Sequence, residues 1–198
     1  MPRSASHLAQ IQGALHIRYR ADPAQALVRK RAKTVNGASD PLHGAVVPGE
    51  NYGVEWAFGV DRAVGGQHDA PNPAEMLCAA LAACEHATIC MISDSIGITL
   101  ERLEVEVVGL VDVRGALAVD RSVHVGFSAL ECRVNLGVAP DADTRLGEKL
   151  RAEAERSCVN LATLRNGAPI ELAWTTGESH EHRQEPPLAS SSLPELAD

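Results

Sequence analysis

An α+β fold is predicted by three features of this 198-residue sequence. A long apolar helix carries clear start and stop signals, and two later segments alternate apolar with charged residues as β-strands do. Hydrophobic residues make up 45% of the chain and charged residues 22%, which is enough apolar material for a buried core. Because domains average roughly 150 residues, we expect a single domain over residues 15–176, with a flexible N-terminus at 1–14 and a disordered acidic tail at 177–198.

Two N-terminal segments alternate in the manner of strands with one buried face. Their apolar members are Leu15, Ile17 and Tyr19 in the first segment and Tyr52, Val54, Trp56 and Phe58 in the second. Between them lies a basic run at 28–33, in which Arg29, Arg31 and Lys33 would share one face of an extended chain. A solvated strand face is the ordinary interpretation of such a run.

The segment from Asn72 to Gly97 is predicted to be a helix. Asn72 suits the N-cap, Pro73 the first helical position and Glu75 the third, where its carboxylate can complete a capping box. Gly97 supplies the stop signal. The interior is small and apolar on nearly every face, so we expect this helix to be surrounded by protein.

The C-terminal half is predicted to contain a hairpin, two helices and a final strand. Alternating apolar positions mark the two strands of an antiparallel hairpin, namely Leu103, Val105, Val107, Val111 and Val113, then Leu130, Cys132, Val134 and Leu136. An amphipathic helix opens at Pro140–Asp141 and continues through Leu146, Leu150 and Ala154. A short helix from Val159 to Arg165 follows, and Ile170–Trp174 is expected to form the last strand.

Charge and composition argue against several function classes. Lys and Arg total 18 against 26 Asp and Glu, a net charge of −8, so a phosphate-binding surface for nucleic acid is not expected. No stretch resembles a signal peptide, and no uncharged run reaches the length of about 18 residues that a membrane span needs. We therefore expect a cytoplasmic protein that binds neither nucleic acid nor membrane.

The five cysteines need individual explanations, because their odd number and the absence of an export signal argue against a disulfide framework. Their spacing does not match a zinc site, so no metal is expected. Cys78, Cys84 and Cys90 are six residues apart, and at 100° per residue they point to three different faces of the helix. Cys132 alternates with apolar strand residues and is interpreted as a small buried hydrophobe.

Cys84 and Cys158 remain as candidate reactive thiols. Cys158 lies near the start of a short helix, where the free N–H groups and the positive end of the helix dipole favour a thiolate. Cys84 lies among alanines and needs a cation from another segment, since burial raises the pKa of a thiol. His86 is not its base, because two residues along a helix turn through about 200°.

Three segments together resemble the OsmC/Ohr family of osmotically inducible and organic-hydroperoxide-resistance proteins. They are residues 72–84 (Asn-Pro-Ala-Glu-Met-Leu-Cys-Ala-Ala-Leu-Ala-Ala-Cys), residues 98–107 and residues 154–160. The likeness covers roughly residues 50–174. It implies an OsmC-like fold, in which antiparallel sheets wrap around central helices and two chains intertwine as a homodimer with thiol sites near the interface.

The resemblance also implies a chemistry for the two candidate thiols. Cys84 matches the family's peroxidatic cysteine, which attacks the O–O bond of an organic hydroperoxide and becomes a sulfenic acid. Cys158 matches the resolving cysteine, which forms a disulfide with Cys84 that a dithiol reductant reopens. The implied function is a thiol-dependent peroxidase of oxidative-stress defence that needs no cofactor.

In the best-studied peroxidase branches an Arg and a Glu assist the peroxidatic thiol. Ala74 occupies the usual position of that Glu, and Glu75, one residue later, fits the looser pattern of the wider family. The activating Arg is expected from the N-terminal strands, where Arg29 and Arg31 are the candidates and Arg62 is a weaker one.

Two other functions remain open. In the first, both cysteines are packed thiols of a non-catalytic OsmC-like protein that binds a small apolar or thiol-reactive molecule. In the second, a cysteine acts as the nucleophile of an acyl hydrolase, although no His is suitably placed for that role.

Overall fold

The computed structural model describes residues 6–35, 40–49, 53–139 and 144–174. These residues fall into two units, one ending at Ala168 and one beginning at Pro169. The predicted α+β class is confirmed, with antiparallel sheets and helices in the first unit. Some expectations lie outside the described residues: the disordered tail at 177–198, the strand residue Tyr52, the helix start at Pro140–Asp141 and the first five residues of the flexible N-terminus predicted at 1–14.

The first unit begins with a helix, α1, over His7–Ala21, so the predicted strand through Leu15, Ile17 and Tyr19 is wrong. The hydroxyl of Ser6 caps this helix by accepting a hydrogen bond from the N–H of Ala9 at 3.0 Å. No residue of α1 is buried. The alternation of apolar residues at Leu15, Ile17 and Tyr19 therefore does not mark a buried strand face. The segment is helical instead, with Ser6 as its N-cap.

A three-stranded antiparallel sheet follows, formed by β1 (Ala32–Val35), β2 (His43–Pro48) and β3 (Trp56–Gly59) in that order. Gly44 of β2 lies under the Phe58 ring so closely that a Cβ there would be 2.5 Å from it, and only glycine fits this position. Within the described part of the chain, this sheet makes few or no contacts with the hairpin and the central helix.

The central helix, α2, spans Pro73–Ile96, with the boundaries predicted from its sequence. The Asn72 side-chain oxygen accepts from the N–H groups of Ala74 at 2.9 Å and Glu75 at 3.0 Å, and the Glu75 carboxylate accepts from the Asn72 N–H at 2.9 Å. Gly97 ends the helix with φ at 77°, a left-handed conformation that glycine adopts without a steric penalty. The capping box and the stop signal are both confirmed.

The predicted hairpin is confirmed as β4 (Leu100–Val111) paired antiparallel with β5 (Phe127–Val138), and a short helix, α3 (Val113–Ala116), lies in the connection. Inward-facing Leu103 and Val105 alternate with exposed Glu104 and Glu106 on β4. One face of the hairpin packs on α2. The core there is built from Ile89, Ile98, Leu150 and Ala154, with Ile92, Ile96, Leu100, Leu103, Val105 and Leu136 packed around them.

Two more helices, α4 (Thr144–Ser157) and α5 (Val159–Asn166), complete the first unit and pack against α2. By length and composition alone, α2 is apolar enough to cross a membrane, and it packs against β4, α4 and α5. Only 28% of its most apolar 18-residue window is buried among the described residues, so this chain by itself does not surround the helix as expected. In the second unit, the described residues 169–174 form neither helix nor strand, so the strand predicted at Ile170–Trp174 is wrong for the isolated chain. A strand needs a pairing partner, and this segment has none among the described residues.

Candidate functional site

The candidate site lies where the start of α5 meets the middle of α2. Cys158 is the N-cap of α5. The side-chain amide of Asn160 donates a hydrogen bond to the carbonyl of Ala80 at 2.8 Å. Since Ala80 lies about one turn before Cys84 on α2, this bond holds the first turn of α5 against the helix that carries the second thiol.

The structure brings Cys84 and Cys158 together, although they are far apart in sequence. Cys158 is fully buried and Cys84 is half-buried. The Cys158 thiol is within hydrogen-bonding reach of two side chains, those of Glu85 and Cys84. All five cysteines are free thiols.

Burial raises the pKa of the Cys158 thiol to about 12, and the neighbouring Glu85 and Cys84 side chains add to the rise. The backbone N–H of Leu161, in the first turn of α5, acts in the opposite direction. The sequence-based expectation that this helix start favours a thiolate is therefore correct for the contribution of the backbone and wrong for the net effect. Desolvation outweighs the helix terminus, because the sulfur has no access to water.

Glu85, which directly follows Cys84, is a residue of the candidate site that sequence reasoning missed. It is only 4% exposed, and its Oε2 atom has no hydrogen-bond partner. It lies on the buried face of α2 together with Leu81, Thr88, Ile89 and Ser93. A signal was present in the sequence, because Glu85 is the only carboxylate in the apolar stretch 76–93.

A cavity of about 420 Å³ opens beside Glu85, between α2, the hairpin, α4 and α5. Apolar residues form much of its wall, and its lining comprises Glu85, Ile89, Cys132, Val134, Leu136, Gly147, Leu150, Arg151, Ala154, Glu155, Leu161 and Arg165. Arg151 and Arg165 both pair with Glu155, at 3.9 and 3.7 Å. The cavity thus combines an apolar wall with one ion-paired edge.

Cys132, on β5, faces the same cavity. Burial raises the pKa of its thiol, the Glu85 carboxyl adds to the rise and the Arg165 guanidinium opposes it. Glu85 therefore influences two thiols from two different elements. Among the described residues, no three His, Cys, Asp or Glu side chains are grouped so that they could hold a metal ion.

The other predicted site residues lie away from the thiol pair. Glu75 completes the helix cap with one carboxylate oxygen, and its other oxygen is 3.5 Å from Nε2 of His68. It is nine residues before Cys84, which places it about 180° around α2 from that thiol. Arg29 and Arg31 are exposed in the segment before β1, so they precede the N-terminal strands from which the activating Arg is expected.

Comparison with known proteins identifies the family. The sequence model of a family described as "OsmC-like protein" matches residues 66–173, which is more than half of the chain. The matched region includes both Cys84 and Cys158. A comparison with curated proteins found no match to this sequence.

Solved structures share the fold at low sequence identity. An OsmC-like protein from Mycoplasma pneumoniae is 16% identical with a TM-score of 0.55, and the match covers 71% of this chain and 89% of that one. An OsmC-like protein from Vibrio cholerae is 12% identical with a TM-score of 0.57, covering 69% and 94%. An organic hydroperoxide resistance protein from Legionella pneumophila is 21% identical with a TM-score of 0.51, covering 71% and 91%. On the extent of the family match, this chain belongs to the OsmC-like protein family.

Proposed function

We propose that this protein is a thiol-dependent peroxidase that reduces organic hydroperoxides in oxidative-stress defence. The observation that carries the proposal is the contact between Cys84 and Cys158, two thiols from distant parts of the chain. A second thiol beside a reactive one can trap its oxidised form as a disulfide. The name of the Legionella neighbour, an organic hydroperoxide resistance protein, supports the choice of substrate.

The difference in exposure between the two thiols supports separate roles for them in this proposal. The Cys84 thiolate attacks the O–O bond, which leaves a sulfenic acid on Cys84 and releases an alcohol. Cys158 then attacks the Cys84 sulfur, forms the disulfide and releases water. A dithiol reductant returns both thiols. Cys84 is the half-buried member of the pair and Cys158 is fully buried with a raised pKa, so Cys84 is the one suited to meet the peroxide first.

A cation that ionises Cys84 is also part of the proposal. Arg29 or Arg31 supplies it, with Glu75 assisting, in a homodimer in which the N-terminal sheet of one chain reaches the α2 helix of the other. Large apolar side chains support such an assembly. Trp56 is 49% exposed, and Ile170, Leu172 and Trp174 are each more than 80% exposed. A cytoplasmic location completes the proposal.

A second candidate is non-catalytic binding of a small apolar molecule. The apolar wall of the cavity favours it, because a space of about 420 Å³ is within the range of ligand pockets. In this case the cysteines are packing residues and the thiol count does not change when the ligand binds.

The deciding experiment measures hydroperoxide consumption and free thiols in wild type, Cys84→Ser and Cys158→Ser, with a dithiol as reductant. We expect wild type to turn over and to lose two thiols on oxidation. Cys84→Ser should be inactive, and Cys158→Ser should be oxidised once and then stall or over-oxidise. Cys90→Ser is the matched control, since Cys90 is an exposed thiol of the same helix. Activity in Cys84→Ser equal to wild type with every hydroperoxide tested would contradict the proposal.

A further inference from the structure

We propose that Glu85 is the acid–base residue of the step in which Cys158 forms the disulfide. In this role the Glu85 carboxylate accepts the Cys158 proton during attack on the Cys84 sulfenic acid and returns it to the departing hydroxide. The inference rests on the proposed peroxidase function and adds a residue to it. Three observations carry it: the position of Glu85, its burial and its unpartnered oxygen.

Position is the first observation. The Cys158 thiol reaches the side chains of both Glu85 and Cys84. The sulfur that must lose a proton is therefore close both to a carboxyl group and to the sulfur that it must attack. A general base has to be within hydrogen-bonding reach of the proton that it removes, and Glu85 meets this condition.

Burial and the unpartnered oxygen are the second and third observations. Buried carboxylates in folded proteins are normally paired or fully hydrogen-bonded, because an unpaired one lowers stability. Glu85 is 4% exposed, and its Oε2 atom has no partner. The carboxyl group therefore makes fewer hydrogen bonds than its two oxygens allow, and no partner of Oε2 competes for a proton. A position kept at such a cost indicates a chemical role rather than a structural one.

Cys158 needs such a base. Burial raises its pKa far above neutrality, so the thiolate is scarce at physiological pH, and the thiolate is the nucleophile in disulfide formation. The α5 helix start does not ionise the sulfur by itself. A carboxylate in contact with the S–H group removes the need for a preformed thiolate, because the proton leaves as the S–S bond forms.

The step balances as follows. The Cys158 S–H proton moves to Glu85, the Cys158 sulfur bonds to the Cys84 sulfur, and the S–O bond of the sulfenic acid breaks. The departing hydroxide takes the proton from Glu85 and leaves as water. Cys158 is oxidised, the Cys84 sulfur is reduced from the sulfenic to the disulfide level, and Glu85 ends ionised, as it began.

Other charged and titratable groups face Glu85 across the cavity, and of these Arg151, Glu155 and Arg165 are paired with one another. They are Cys132 from β5, Arg151 and Glu155 from α4, and Arg165 from α5. Glu155 is 44% exposed and pairs with both arginines. Among the groups lining the cavity, Glu85 is therefore the carboxyl that touches the resolving thiol.

The test is a single-turnover experiment on reduced wild type, Glu85→Gln and Glu85→Asp. One equivalent of an organic hydroperoxide is added, and the sulfenic acid and the disulfide are followed separately, the former by trapping with a dimedone-type carbon nucleophile. In Glu85→Gln we expect sulfenic acid to form at the wild-type rate and the disulfide to form about 10²-fold more slowly, the lower end of the usual contribution of acid–base catalysis. Glu85→Asp keeps a carboxyl one methylene further away and should give an intermediate rate.

The pH profile provides a readout that a structural role would not change. Disulfide formation in Glu85→Gln should accelerate about tenfold per pH unit above neutrality, since attack then requires a free thiolate, whereas wild type should depend less on pH. Glu148→Gln, an exposed carboxylate of α4 outside the cavity, is the matched control and should match wild type. Disulfide formation at the wild-type rate in Glu85→Gln overturns the proposal, and so does equal slowing of both steps.

A second assay separates this inference from the peroxidase function. In a variant in which Cys78, Cys90 and Cys132 are replaced by Ala, the Cys84 thiol is loaded with 5-thio-2-nitrobenzoate. Attack by Cys158 releases the coloured thiolate without any peroxide. We expect Glu85→Gln to slow this release about tenfold or more. If wild type consumes no hydroperoxide but Glu85→Gln still slows the release, only the proposed function fails. If the release is unaffected, the role of Glu85 fails, whatever the protein does with peroxides.

Discussion

Two carboxylates of α2, ten residues apart, are held in opposite ways. Glu75 is 50% exposed, and both of its oxygens have partners, the Asn72 N–H and the His68 ring. Glu85 is 4% exposed, and its Oε2 atom has no partner. The side-chain amide of Asn72 also donates to Asp61 at 3.0 Å, and the His68 ring lies 3.3 Å from the same carboxylate. We call Asp61, His68, Asn72 and Glu75 the cap cluster, and Cys84, Glu85 and Cys158 the thiol–carboxyl cluster.

The difference shows how stability and chemistry are distributed along one helix. In the cap cluster, Asn72 and Glu75 satisfy the backbone N–H groups at the start of α2, so the cluster stabilises the helix there. In the thiol–carboxyl cluster, the Glu85 carboxyl and the Cys158 thiol are buried, and the Oε2 atom of Glu85 has no hydrogen-bond partner, which lowers stability. Groups with strongly perturbed ionisation are concentrated at functional sites, and the raised pKa of Cys158 supports the second cluster as the candidate site.

The largest expected effect is the pH dependence of stability that Cys158 confers. Its pKa is raised from 9.0 in the unfolded chain to about 12 in the folded one, so the folded state keeps a proton that the unfolded state loses. The stability is therefore fully present below pH 9 and is lost as the pH rises towards 12. Relative to Cys158→Ala, the unfolding equilibrium constant of reduced wild type should rise by up to about tenfold per pH unit in that window. Denaturant unfolding at several pH values checks this, and parallel pH profiles for the two proteins would contradict it.

Replacing Glu85 with Leu should separate stability from function. Removal of a buried carboxyl with an unpartnered oxygen is expected to raise the free energy of unfolding by about 1–3 kcal/mol. Urea titration of wild type and Glu85→Leu measures the change, with Glu148→Leu as the exposed control, for which a change within about 0.5 kcal/mol is expected. A clear loss of stability in Glu85→Leu would mean that the carboxyl has a stabilising partner and that the comparison between the clusters is wrong.

Removing the helix cap should have a moderate effect of the opposite sign. Asn72→Ala deprives the Ala74 and Glu75 N–H groups of their acceptor and should lower the free energy of unfolding by about 1–2 kcal/mol. Asn72→Ser keeps a capping oxygen and serves as the control. Thermal unfolding of the two variants beside wild type tests the prediction, and equal losses in both would assign the effect to something other than capping.

The smallest effect is expected for Glu75→Gln. The amide oxygen can still accept from the Asn72 N–H, and only the partly exposed pairing with His68 is lost, so stability should change by less than about 1 kcal/mol. Hydroperoxide turnover by the variant decides whether Glu75 has the assisting role that the family resemblance implies. Unchanged turnover would restrict Glu75 to the cap cluster, and a large drop would place it at a reactive thiol.

Sequence patterns predicted the fold well where an element is determined by residues that are close together in the sequence. The capping box at Asn72, the stop at Gly97 and the hairpin were all readable, because each depends on residues that are close in sequence or on a strict alternation. Alternation misled at Leu15–Tyr19, where no residue is buried and helix capping decides the conformation. It also misled at Ile170–Trp174, where the described chain offers no neighbouring strand.

The sequence alone thus determined the class of the fold, the extent of α2 and the two cysteines worth examining, because hydrophobic period and helix caps are local properties. Tertiary structure decided the rest of the site. It buried Cys158 against Glu85 and Cys84, and it turned a thiol that its helix start favours as an anion into one that holds its proton. The reason is that desolvation depends on every element packed around a group, and no stretch of neighbouring residues contains that information.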